Sequence, residues 1–213
     1  GNSPLTSHHS PMNHLPVIAI FDIGKTNKKL LLFDEQYRLV FEETTKLDEI
    51  CDEDGFACED VMALSKWVKA SFYSILQNET YDVKAVNFSA YGASFVYIDK
   101  DGKVLTPLYN YLKPYPQELK TDFYNRYGGE KTVARETASP VLDSLNSGMQ
   151  LYRLKNEQPS LFEKMSFAFH LPQYISYLLS GYPATDITSI GCHTNLWDFE
   201  QNQYHCWVKE EGI

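Results

Sequence analysis

Asp22 closes an apolar run, Ile18-Ala19-Ile20-Phe21, and opens onto a small polar turn, Ile23 to Asn27, with lysines at 25, 28 and 29. A second apolar run, Leu30 to Phe33, ends on Asp34. A hairpin of this composition exposes backbone N–H groups, the Thr26 hydroxyl and ammonium groups beside a carboxylate. Backbone donors of this kind hold phosphate oxygens, and a carboxylate faces the accompanying metal ion through its water shell. Phosphoryl transfer asks a protein for positioning and charge neutralisation more than for covalent chemistry. A bare carboxylate at the end of an apolar strand is also costly without a partner. An Asp-x-Gly turn is equally at home in any hairpin, so the rest of the chain has to decide.

Two further segments bear on chemistry. In Ser89-Ala90-Tyr91-Gly92-Ala93-Ser94-Phe95-Val96 a strand ends in small residues around Gly92 and a second strand returns to a tight turn, Asp99-Lys100-Asp101-Gly102. A bulge at Gly92 is one reading; a close backbone approach to a small polar ligand, walled by Tyr91, is the other. Tyr109-Asn110-Tyr111-Leu112-Lys113 supplies aromatic side chains on a loop, either as surface residues or as a platform for the apolar face of a sugar.

The elements that position these residues follow from periodicity. Tyr37 to Thr45 reads as a third strand after the first hairpin, and Asp48 to Asp54 as an acidic surface loop closed by Gly55. Val61, Leu64, Trp67, Val68, Phe72, Ile75 and Leu76 recur at helical spacing, which predicts an amphipathic helix over 59–76. Asp82 to Ser89 and Ala93 to Ile98 read as strands, and Asp99 to Gly102 as a hairpin turn before Val104-Leu105. Pro107 to Pro116 reads as an ordered irregular loop. Helices are expected over 117–127, stopped by Gly128-Gly129, over 146–157 and over 172–179, stopped by Gly181. Thr194 to Trp197 reads as a short strand and Tyr204 to Glu211 as a helical start. Three strands, a helix and further strands depart from the alternating order of a dinucleotide-binding domain. They fit an α/β, ribonuclease-H-like (actin-like ATPase) domain with a mixed five-stranded sheet flanked by helices.

Bulk composition agrees with a packed globular domain. The 213 residues are 43% apolar and 22% charged, which supports a core and disfavours global disorder. The net charge of −9, with no dense basic block, disfavours a nucleic-acid partner. No run of eighteen apolar residues exists to span a membrane. Residues 1–15, rich in Ser, His, Asn and Pro, read as a disordered leader or an expression remnant; residues 16–213 read as the domain. Cys192-His193 and His205-Cys206 have zinc-ligating types without paired CxxC spacing, so reduced thiols in a cytoplasmic protein are the simpler reading. The glycosylation-type triplets at Asn78 and Asn87 are read as chance, Asn87 falling inside a strand that reads as buried.

Taken together these segments resemble the N-terminal domain of the FGGY carbohydrate kinases, nearest the rhamnulokinase and fuculokinase branch, from Val17 to Ile213. Asp22-Ile23-Gly24-Lys25-Thr26-Asn27-Lys28-Lys29 is similar to the family's first phosphate motif, Asp-x-Gly-x-Thr/Ser followed by a basic residue. Ser89 to Val96 resembles the sugar-site segment. Tyr111 stands where a Trp-x-x-x-Arg segment has its Trp, with Tyr115 near the place of the absent Arg. Leu145-Asn146-Ser147 stands where relatives line the sugar pocket. Leu178 to Gly181, Thr185-Asp186-Ile187-Thr188-Ser189, and Trp197-Asp198 with Trp207 resemble the family's later segments in the same order.

The resemblance implies ATP-dependent phosphorylation of a ketose or deoxyketose hydroxyl, with Mg²⁺ between the phosphates. Asp22 is the implied catalytic carboxylate, holding the metal through water. Gly24, Thr26, Asn27 and Lys29 are the implied phosphate contacts. Tyr91, Gly92, Tyr111, Leu145 and Asn146 are the implied sugar contacts. The general base would be an Asp beyond residue 213, in a Gly-x-x-Asp segment, and a C-terminal lobe would supply most of the ATP site. By the resemblance the given residues stop before both, so the chain is expected to be inactive alone. Sugar and ATP are the expected partners, and the resemblance leaves room for a homodimer. Asp186 reads as a helix or turn cap. A nonenzymatic sugar-binding or regulatory module of the same class is the alternative. A nuclease would instead bring Asp22, Asp99 and Asp186 to one metal pair.

Overall fold

The computed structural model describes residues 13–213. Most of the expected leader, residues 1–12, lies outside the described residues; Leu15 already belongs to the first strand, where its amide donates to Thr80 O at 2.8 Å. Strand β1 (Leu15–Ile23) pairs antiparallel with β2 (Lys28–Phe33), and β2 with β3 (Leu39–Thr45). The strict alternation of β1 explains its place. Val17, Ala19, Phe21 and Ile23 are all at most 2% exposed on one face, while Ile18, Ile20 and Asp22 point to the other. A short antiparallel hairpin, β4 (Glu49–Cys51) and β5 (Ala57–Glu59), follows, then helix α1 (Val61–Leu76). The Asp60 carboxylate caps α1 by accepting from the Met62 and Ala63 amides at 2.9 and 3.1 Å. Helix α1 seats Trp67 and Phe72 against Phe21, with ring centroids 5.8 and 6.1 Å apart.

Strand β6 (Tyr81–Ala90) returns parallel to β1, which gives a four-stranded sheet in the order β3-β2-β1-β6. This corrects the five-stranded expectation. Strand β7 (Phe95–Ile98) does not return beside β6; it leaves the sheet and pairs with a distant strand. Its four residues are all buried, so the alternation that assigns a strand to a half-covered sheet is missing from it. The Asp99–Gly102 turn follows as read, with the Gly102 amide on Asp99 O at 3.0 Å and Gly102 at φ +80°. Asn87 lies within a strand but on the uncovered face, exposed, so the reading of it as buried fails.

The second half of the chain builds a helical unit beside the sheet. Helices α2 (Gln117–Arg126), α3 (Glu130–Thr137), α4 (Ser147–Glu157) and α5 (Pro159–Phe162) precede β8 (Phe167–His170), the partner of β7. Helix α6 (Leu171–Ser180) then packs on the same sheet face as α1, with Tyr174 OH 2.9 Å from Ser65 Oγ. The short helix α7 (Ile187–Ile190), the hairpin β9 (Trp197–Asp198) and β10 (Gln203–Tyr204), and helix α8 (Cys206–Glu210) complete the described chain. Phe123 centres this unit, meeting Tyr124, Tyr127, Tyr152 and Trp207 at 5.1 to 5.2 Å, mostly edge to face. No helix among the described residues is long and apolar enough to cross a membrane.

The acidic segment is more ordered than its composition suggests. Asp52 is 8% exposed; its Oδ1 accepts from the Asp54 and Phe56 amides at 2.9 Å, and Lys113 Nζ lies 2.7 Å from its Oδ2. The loop therefore turns one carboxylate inward to fix Lys113, rather than presenting every acid to water.

Candidate active site

The first hairpin places its groups by the pleat. Gly24 starts the turn, its amide on Asn27 O at 2.9 Å, and a Cβ there would meet that same oxygen at 3.1 Å. Asp22 is exposed on the uncovered face of the sheet, in register with Lys29 on β2 and Ser89 on β6. Lys29 lies on that face too, its Nζ 3.3 Å from Glu42. Thr26 and Asn27 are exposed at the tip, and the amides of Lys25, Thr26 and Asn27 make no hydrogen bond among the described residues. Unused amides, a hydroxyl and a free carboxylate are donors and acceptors that fit phosphate oxygens and a hydrated Mg²⁺.

The other two lysines have different work. Lys28 follows the inward row of β2 and is 1% exposed; it pairs with the Glu59 carboxylate and donates to Lys25 O at 2.8 Å. Tyr91 OH donates to the other oxygen of Glu59. Burial first, and then the Glu59 charge, push the Tyr91 phenol far above its usual range, so it stays a donor. Lys25 Nζ donates to Asn110 Oδ1 at 2.9 Å and lies 4.5 Å above the Tyr111 ring. Tyr91 and Tyr111 are 6.2 Å apart, centroid to centroid.

Those two tyrosines wall a cavity of about 470 Å³ beyond the turn, together with Gly92, Leu145, His170 and Cys192. The volume suits a small polar ligand with an apolar face. A Cβ on Gly92 would meet nothing within 4 Å, so this position borders open cavity, and the left-handed φ falls on Ala93, at 58°. A neighbouring space of about 560 Å³ runs along β6, lined by Asn87, Ser89, Gln173 and Asp186.

Four of the five expected sugar contacts thus come together. The fifth, Asn146, has its side chain turned onto the chain itself. It is 0% exposed, donates to Pro140 O at 2.9 Å and His193 O at 2.8 Å, and accepts from the Leu142 amide at 2.7 Å. Asn146 therefore pins the loops carrying Leu142 and His193, both of which line the cavity. Asp186 caps α7 through the Ser189 amide at 3.1 Å, as expected. Asp99 Oδ1 accepts from the Asp101 and Lys103 amides of its own turn at 2.9 Å, and among the described residues Asp22, Asp99 and Asp186 do not come together as a metal-binding group.

His170 was not legible as a site residue. It is 6% exposed, stacks on Phe95 at 4.2 Å, and its Nε2 lies 2.8 Å from Ser147 Oγ. Burial pulls its pKa down to about 4, so the cavity wall there is neutral imidazole at neutral pH. The unfolded chain titrates this group near 6.5 and the folded chain near 4. Between those values the unfolded state binds more protons, so stability falls as pH drops from about 6.5 to about 4. The expected loss is about 3 kcal/mol, and urea melts of His170→Gln across that window should show a flatter profile. An unchanged slope would place the titration elsewhere.

The zinc-type residues do not converge as Cys/His. Instead Glu136, Asp198 and His205 bring one donor atom each within 4.8 Å of one another. His205 Nδ1 accepts the Trp207 amide at 3.4 Å, which leaves the proton on Nε2, 2.7 Å from Glu136 Oε2. Asp198 accepts from the Glu200 and Gln201 amides at 2.9 Å. The group is a clip between α3 and α8.

Comparison with known proteins identifies the family and the fold. Residues 17–209 match the N-terminal domain of the FGGY family of carbohydrate kinases. A rhamnulokinase of Halalkalibacterium halodurans is 24% identical over 184 residues, covering 83% of this chain and 39% of the relative. One of Oceanobacillus iheyensis is 22% identical over 187 residues, 84% of this chain and 39% of the relative. Among solved structures, the ligand-bound xylulose kinase of Lactobacillus acidophilus superposes with a TM-score of 0.81 over 93% of this chain and 40% of its own, at 22% identity. A carbohydrate kinase of Novosphingobium aromaticivorans gives 0.79 over 93% and 41%, at 23% identity. The chain spans 39% of the length of the two rhamnulokinases. It belongs to the FGGY family of carbohydrate kinases, through that family's N-terminal domain.

Proposed function

We propose that this chain is the sugar-binding half, with the first phosphate turn, of an ATP-dependent kinase acting on a hydroxyl of a ketose or deoxyketose. The observation that carries the reading is the junction of the unused turn amides with the 470 Å³ cavity, through Lys25, Tyr111 and Tyr91. The names of the relatives, rhamnulokinase and xylulose kinase, support the substrate class.

Asp22 would hold a hydrated Mg²⁺ through its water shell, and the unused amides of Lys25, Thr26 and Asn27 would take phosphate oxygens. Gly24, its own amide spent on Asn27 O, shapes the turn rather than donating to phosphate, and Lys29 would offset the charge of the transferred group. The bound MgATP supplies the electrophilic phosphoryl and part of the charge compensation. Tyr91, Gly92, Tyr111 and Leu145 shape the pocket, and Asn146 holds its frame. The base that takes the sugar hydroxyl's proton is an Asp beyond residue 213. The chain alone is inactive in this reading, works in the cytoplasm, and has neither nucleic acid nor membrane as partner; a homodimer is compatible with it.

Titration calorimetry with pentuloses and 6-deoxyketohexoses tests it. At least one should bind the wild-type chain, and Gly92→Leu, whose side chain enters the cavity, should weaken that binding by more than about tenfold, 1.4 kcal/mol, with the thermal melt unchanged. Failure of every such ketose to bind overturns the reading. So does ATP turnover by the 213-residue chain alone, for its claim of inactivity.

A further inference from the structure

Lys25 is held at both ends. Its carbonyl accepts from the sealed Lys28 at 2.8 Å, and its ammonium donates to Asn110 Oδ1 at 2.9 Å across 85 positions of sequence. Asn110 is itself fixed, its Oδ1 accepting the Leu112 amide at 2.9 Å and its Nδ2 donating to Ala57 O at 3.3 Å. The ammonium lies 4.5 Å over the Tyr111 ring, and no carboxylate stands within ion-pair distance of it among the described residues. Tyr111 in turn lines the cavity and touches Tyr91, whose hydroxyl ends on Glu59, the partner of Lys28. The contacts close a ring that runs from turn to cavity wall and back.

Two of its links are soft. A lysine stem has four rotatable bonds, and a cation over an aromatic face has a broad minimum. The turn amides at 25 to 27 have no acceptor to hold them. A ligand face packed on Tyr111 removes ring motion, and the ammonium above that ring loses motion with it. Ordering that begins in the cavity therefore arrives at the amides through one side chain.

We propose that Lys25 is a positioning residue that couples the two subsites: a ketose in the cavity orders the phosphate turn through the Lys25–Asn110–Tyr111 contact. The proposal rests on the sugar-binding reading above and goes beyond it by naming the residue that links sugar occupancy to phosphate binding. By linkage, an anion held in the turn tightens sugar binding by the same factor.

Amide hydrogen exchange on the 213-residue chain, with and without a ketose that binds it in calorimetry, decides the matter. In the wild type, exchange over 24–28 should slow by at least about threefold on sugar addition. Lys25→Met keeps the apolar stem and removes the donor; it should still bind the sugar but show no slowing. Lys25→Arg keeps a donor and a cation over the ring and should restore it. Sugar binding without a change in the turn overturns the coupling and leaves the sugar-binding reading standing. The same slowing in Lys25→Met overturns Lys25 as its carrier. Absence of binding by every ketose removes the reading itself, and the coupling with it.

Discussion

Glu59→Ala is expected to cost about 3 to 5 kcal/mol of folding stability, because it strands a buried ammonium. Lys28 has a side chain 2% exposed and Glu59 one 11% exposed, so water cannot replace the lost partner. Tyr91 loses its acceptor in the same step. Lys28→Met in the same background should recover most of the loss, since an apolar side chain of similar length suits the inward row that also holds Leu30 and Leu32. Urea denaturation of the two single variants and the double variant measures the cycle. A loss under about 1 kcal/mol for Glu59→Ala would mean that the Lys28 charge reaches solvent.

Asn146→Ala should also be costly, about 3 kcal/mol, because the fully buried amide makes three hydrogen bonds, to the Leu142 amide and the Pro140 and His193 carbonyls, at about 1 kcal/mol each. For a chain of this size that corresponds to a fall in melting temperature of about 6 to 12 °C. Asn146→Asp should do no better, since its carboxylate would face two carbonyl oxygens where the amide donates. A sugar contact would behave the other way, with stability kept and affinity lost, so one thermal melt beside one binding isotherm separates the two roles.

The hairpin, α1 and the Asp99 turn were legible because each repeats a short-range rule: alternation in β1, helical spacing from Val61 to Ile75, and an Asp-Gly turn. The cavity was legible in outline, since Tyr91, Gly92, Tyr111 and Leu145 meet there. What escaped depended on partners far along the chain. Nothing local marks Glu59 as the counter-charge of Lys28, or separates Lys28 from Lys29 by role. Strand β8 shows four residues with no alternation, and its pairing with β7 spans about 70 positions. Helix α3 offers a single buried aliphatic side chain, Val133, in eight residues, too little for a periodic signal. Asn146 was assigned to the pocket by its position, whereas three hydrogen bonds to backbone decide its direction.

The pleat at Lys28 and Lys29 has a consequence for chemical reactivity. Two adjacent primary amines differ in side-chain exposure, 2% against 36%, because successive residues of β2 point to opposite faces. Fold and salt bridge together act on Lys28 as a protecting group, while Lys29 stays open to acylation or reductive alkylation. An amine-selective reagent applied to the native chain would therefore mark the phosphate side of the hairpin and spare its neighbour, so a sequence repeat of one residue type becomes two distinguishable functional groups.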